Sequence, residues 1–103
     1  MNQLAVRIVR FVDDAQPGFV ACEFEDADGR LHTLIDKVPI FTDVMLDATS
    51  VYPQNGSACC KVLNRWRDLG ARELVRVSAE PYGIESTEGQ SEFVVLSSQV
   101  SGL

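Results

Sequence analysis

Apolar and polar side chains alternate along two stretches of this chain, residues 19–36 and 59–78, and each folds back around a glycine-containing turn signal. Period-two alternation on both sides of such a turn specifies a β-hairpin, because successive strand side chains point to opposite faces. The turns are read at Asp28-Gly29 and at Asp68-Leu69-Gly70-Ala71. A chain organised in this way is all-β, and its remaining segments must supply the other strands.

Residues 4–12 are β-branched and nearly apolar throughout, and read as a first strand. Pro17-Gly18 then makes a turn, since proline presets one backbone angle and glycine accepts the positive one. Residues 93–96 make the last strand, and Glu80-Pro81-Tyr82-Gly83 a turn before it. Between the hairpins, residues 37–57 form a long connection in which residues 42–47 are expected to make one short helical turn. Six short strands imply a small barrel or a two-layer sandwich built from antiparallel hairpins. The long link between strands three and four also leaves an OB-like topology open. The chain reads as one β domain, 1–103, with residues 97–103 as a fraying tail.

Parity assigns the faces. An even-numbered turn in the first hairpin puts Val20, Cys22 and Phe24 with Leu31, Thr33 and Ile35 on the core side, and Glu23, Glu25, His32, Leu34 and Asp36 toward water. A four-residue loop at 68–71 sets Arg67 opposite Arg72 and turns Cys60, Val62, Trp66, Val75 and Val77 inward. Lys61, Arg65, Arg67, Arg72 and Arg76 then gather on the outer face, with Leu63 and Leu74 between them.

Charge is unevenly spread. The net charge is −6, yet residues 61–76 hold five basic against two acidic side chains, while residues 13–47 hold nine acidic against two basic ones. An acidic whole repels nucleic acid and anionic membranes, and the basic ribbon is a local exception. No apolar run reaches the ~18 residues of a membrane span, and charge at Arg7 interrupts any leader-like segment. Three cysteines, two of them adjacent, make a poor disulfide framework. A cytoplasmic protein with reduced thiols is expected.

The residues for familiar chemistry do not assemble. With Cys22 inward and His32 outward no Cys-His dyad forms, and one His with three such cysteines matches no zinc signature. Asp26-Ala27-Asp28-Gly29 is an incomplete calcium-loop pattern and reads as a hairpin turn. In the 85–89 segment, Ser86 or Thr87 is expected to cap a local turn. No phosphate-binding glycine loop or nucleophile elbow is present. The chain is therefore expected to be non-catalytic, without metal or cofactor. Its expected role is a protein-interaction module, either binding a partner or self-associating, through Lys61, Leu63, Arg65, Arg67, Arg72, Leu74 and Arg76. Single-stranded nucleic acid on the same ribbon is the alternative, and a carboxylate-based metal enzyme a more distant one.

Overall fold

Two long strands organise the molecule, because each serves two partners. In the computed structural model, which describes residues 1–103, β1 (Asn2–Asp13) pairs through its first half with β4 (Gln54–Arg67) and through its second half with β2 (Phe19–Glu25). The first half of β4 is used by β1, and the second half pairs with β5 (Glu73–Ser78). Register shifts near Val9 and Val12 in β1 and at Leu63 in β4 bend the strands at the points where they change partners. With β3 (Leu31–Lys37), β6 (Glu92–Leu96) and the short β7 (Val100–Ser101), the antiparallel order is β3-β2-β1-β4-β5-β6, with β7 on β1.

The all-β expectation holds: the sheet curls into a six-strand half-barrel carrying one short helical turn. As an OB-type path requires, β1 lies between β2 and β4, and the long link joins β3 to β4. Closure differs, because β5 pairs with β6 and not with β3. The remaining seam is stitched by Ala27 N–H to the Val94 carbonyl (2.8 Å) and Thr87 N–H to the Thr33 carbonyl (2.9 Å). One cluster of 19 buried side chains draws on every strand, with Leu4, Val6 and Ile8 at alternate positions of β1 facing Val20, Cys22, Val75, Val77 and Val95. Each such side chain contributes about 1.5–3 kcal/mol by leaving water.

The helical turn is displaced from its expected place at residues 42–47. It is α1 (Val38–Phe41), with Pro39 in its first turn, where a missing N–H costs nothing, and with Val38 and Phe41 in the core. Gly56 of β4 makes this packing possible: a Cβ there would lie 2.9 Å from Ile8 Cδ1 and 3.0 Å from the Phe41 carbonyl oxygen. After α1, Asp47 ties down the connection by accepting from the Thr49 amide (2.8 Å) and hydroxyl (2.6 Å), while the Tyr52 hydroxyl donates to its carbonyl (2.8 Å). The two Thr49 bonds, hydroxyl first, hold the Asp47 carboxyl below its usual range.

Within the tail expected to fray, residues 97–101 make defined contacts. Gln99 accepts from the Leu96 amide (2.9 Å) and donates to the Glu25 carbonyl (2.7 Å), and Val100 enters the core beside β1.

Three loops share one design. In residues 26–30, 68–72 and 86–90 the first residue donates its amide to the fifth residue's carbonyl, and its carbonyl accepts from the fourth residue's amide. Its side chain, Asp26, Asp68 or Ser86, then accepts from the fifth residue's amide at 3.0, 2.9 and 3.1 Å. The fourth residue is left-handed each time, as Gly29, Ala71 and Gly89. This is the turn-plus-bulge hairpin loop, and the expected cap at Ser86 is realised in it.

Five is an odd number, so the strand-three faces differ from the even-turn expectation. Phe24 pairs with His32, Cys22 with Leu34 and Val20 with Asp36. His32 and Leu34 therefore point into the core, and Leu31, Thr33 and Ile35 point away from it.

Ala71 occupies a left-handed position, at φ 63°, that glycine fills in the other two loops, whereas the neighbouring Gly70 has no positive φ. An L-residue there costs about 1–2 kcal/mol, and moving the glycine recovers most of it. The exchanged pair Gly70→Ala with Ala71→Gly should raise unfolding stability by about 1 kcal/mol in urea titrations.

Candidate functional site

The basic ribbon identified in the sequence is the β4–β5 hairpin, and its odd loop redistributes the cations. Arg67 pairs with Glu73, Trp66 with Leu74, Arg65 with Val75 and Asn64 with Arg76. The bulge at Leu63 restores the expected pairing of Val62 with Val77. Arg65 and Arg67 thus follow the inner, core-facing rows beyond the end of the barrel. Lys61 and Arg76 lie on the outer face, and Arg72 lies in the loop. The five cations do not form one surface.

Their partners differ as well. Arg72 is spent internally: Nε donates to Asp68 Oδ2 and Nη1 to the Ala27 carbonyl, both at 2.8 Å, which joins the second hairpin loop to the first. The Arg72 amide first, and then its guanidinium, hold the Asp68 carboxyl below its usual range. Arg65 meets Glu73 at 3.5 Å, and Arg67 donates to the Ala71 carbonyl at 3.0 Å. Arg30 of the first loop meets Glu88 of the third at 2.9 Å. Most of the ribbon's arginines therefore organise its own end of the molecule.

Trp66 departs from the sequence reading too. It is half-buried on the outer face, and the Arg76 guanidinium carbon lies 5.9 Å from its ring centroid. Leu74, expected to be an exposed anchor, is buried in the same row, between Trp66 on β4 and Leu96 on β6. Leu63, pushed out by the bulge, is exposed. The outer face thus carries a tryptophan and an arginine in contact, with Lys61, Asn64 and Leu63 along the same strand. Sequence alternation alone could not find this, since it depends on loop length and on one bulge.

The structure also brings together a pair the sequence reading separates. His32 is buried, stacked on Phe24 at 5.2 Å and edge-on to Phe93 at 4.8 Å, and its Nε2 lies 2.8 Å from Asp26 Oδ2. A carboxylate only accepts, so Nε2 carries the hydrogen; Nδ1 has no hydrogen-bond partner. Burial pushes the Asp26 carboxyl up, but the donors from His32 and from the Arg30 and Asp28 amides outweigh it and hold the group low. Asp26 is the first residue of its loop, so one carboxylate links the turn to the core imidazole. The signal was present as Asp-x-x-Gly, whose odd loop places position 32 inside.

Cys22 shares the inner face with His32, contrary to expectation, two pairs further along the strands. Burial pushes its thiol up to about 12 and that of Cys60 up to about 11, the opposite of what activates a nucleophile. None of the three main clefts is lined by His32, Asp26 or Cys22. The pair thus has the surroundings of a structural contact. No helix is long and apolar enough to cross a membrane.

Comparison of the chain with protein-family models, with curated proteins and with solved structures yields no match.

Because the folded Asp26 carboxyl is held low, its contribution is complete above the unfolded value of about 3.9 and is lost as pH falls through the lower folded value. Asp26→Asn should be less stable than the wild type by about 1–3 kcal/mol near neutrality. That gap should close in urea titrations as the pH is lowered into the acid range. For the thiols, iodoacetamide on the native protein should label Cys59, and mass spectrometry should find Cys22 and Cys60 modified only after unfolding.

Proposed function

We propose that this protein is a non-catalytic protein-interaction module whose outer β4–β5 face binds an acidic surface on a partner protein. The observation that carries this reading is the Trp66–Arg76 contact on a sheet face that the rest of the chain leaves half open. Tryptophan and arginine are the residues most often found to dominate binding energy, especially against a packed apolar floor. Leu74 and Leu96 provide that floor, and Lys61 and Leu63 provide the charged and apolar margin. The remaining seven-residue set expected from the sequence contracts, because Arg72 and Leu74 are committed within the fold. The reading places the protein in the cytoplasm, in keeping with three free thiols on strands that do not bridge.

Outward placement of Trp66 beside cations is also a feature of single-strand nucleic-acid platforms. Only Lys61 and Arg76 share its face, however, and a net charge of −6 opposes a phosphate backbone. A protein partner is therefore the better fit.

The test compares wild-type bait with Trp66→Ala and Arg76→Glu baits in native extract, followed by calorimetry on what is captured. A partner held through this face should bind Trp66→Ala about 30-fold more weakly, since truncating a dominant residue costs about 2 kcal/mol or more. Equal binding by both variants rejects the face. As the sole tryptophan, Trp66 also reports on the alternative: a mixed single-stranded oligonucleotide at low salt should leave its emission unchanged. A salt-sensitive quench would favour nucleic acid.

A further inference from the structure

The two ends of the molecule, which is 45 Å long, carry unlike surfaces that fit each other. β4 runs between them: it begins at Gln54, directly after the 42–53 connection, and ends at Arg67, beside the second hairpin loop. At the loop end Leu69 stands wholly in solvent. The fold does not need a leucine there, since the same loop position is Ala27 in the first loop and Thr87 in the third. Beside it, Arg67 donates only to a carbonyl, so its charge has no carboxylate partner. The loop tip is thus an apolar side chain next to an uncompensated cation.

At the other end lies a cleft of about 260 Å³, walled by Pro17, Val38, Pro39, Val44, Met45 and Leu46. Met45 is 93% exposed and Val44 56%, an unusual amount of bare apolar surface around a concave site. A long thioether side chain at such a rim adapts to what enters. Asp43 belongs to the cleft, and Asp13 and Asp14 lead into its Gln16-Pro17 wall. None of these three forms an ion pair within the chain. Lys37, next to Val38, and Arg10, three residues before Asp13, are the nearest cations in sequence. The cleft is therefore apolar inside and acidic at its margin, the complement of the tip.

We propose that the occupant of this cleft is a second copy of the chain: Leu69 of one molecule enters the cleft beside Met45 of the next, and Arg67 meets the Asp13, Asp14 and Asp43 margin. Docked end to end, with the tip of one molecule in the cleft at the far end of the next, the contact is heterologous and propagates head to tail instead of closing as a symmetric pair. The contact is small for a stable interface, so assembly is weak and shows at high concentration. It uses the hairpin tip, and leaves the Trp66–Arg76 face free for the partner proposed above.

Sedimentation velocity from micromolar to millimolar protein tests this. The wild type should gain mass with concentration, whereas Leu69→Asp and Met45→Asp should each stay monomeric. Both positions are exposed, and unchanged circular dichroism checks that the variants fold. Mixing the two variants should restore a heterodimer that grows no further, because one retains a sound cleft and the other a sound tip. Trp66→Ala should assemble as the wild type does, which separates this contact from the partner-binding face. A wild type that stays monomeric throughout leaves the cleft to a basic segment of another protein and overturns the proposal. So does a mixture that fails to pair, or a single variant that still assembles.

Discussion

One acceptor side chain at the head of a five-residue loop decides which side of this sheet is dry. Asp26, Asp68 and Ser86 each collect amides of their own loop, and a left-handed fourth residue lets the chain turn back on an odd count. In a ladder of period two, an odd loop exchanges the faces of everything that follows until a bulge restores them. The first loop thereby turns His32 and Leu34 inward. In the second, the inversion lasts from Arg67 back to the bulge at Leu63, long enough to turn Trp66 outward.

The same loops join the end of the barrel. With β5 paired to β6, the seam beside β3 has no continuous ladder, and single contacts from the loops span it: Ala27 to Val94, Thr87 to Thr33, Arg72 to the Ala27 carbonyl and Arg30 to Glu88. His32 lies beneath them, wedged between Phe24 and Phe93 and tied to Asp26. A buried polar ring with one nitrogen unpartnered is a costly core residue. Here its bonded nitrogen couples the first turn to the side chains that pack across the seam.

Two long bent strands explain why the molecule has distinct ends. β1 and β4 outrun their shared ladder in opposite directions, so α1 and the Asp47-centred connection collect at one end and the arginine-bearing hairpin at the other. Gly56 allows α1 to lie against β4 and bring Phe41 into the core. The Asp47-centred connection and the basic ribbon thus become separate poles, while the first hairpin loop of the acidic stretch lies against the ribbon's own loop.

Alternation and turn chemistry determined the all-β class, the hairpins and the inward placement of Val20, Cys22 and Phe24 on β2 and of Val75 and Val77 on β5, because strand periodicity is a local property of the backbone. Ser86 also carried a legible signal, as a cap, whereas the helix start at Pro39 and the close approach at Gly56 emerged only in the fold. What only the tertiary structure decided was parity and availability. Loop length shifts by a single residue without altering composition, so His32 and Trp66 exchanged sides on a detail that alternation does not encode. Arg72 looks like any surface cation until a carbonyl 45 residues away accepts its guanidinium, and Leu74 looks like an anchor until Leu96 closes over it. Long-range contacts, which decide whether a charged or apolar group is spent or free, exist only once the sheet has curled.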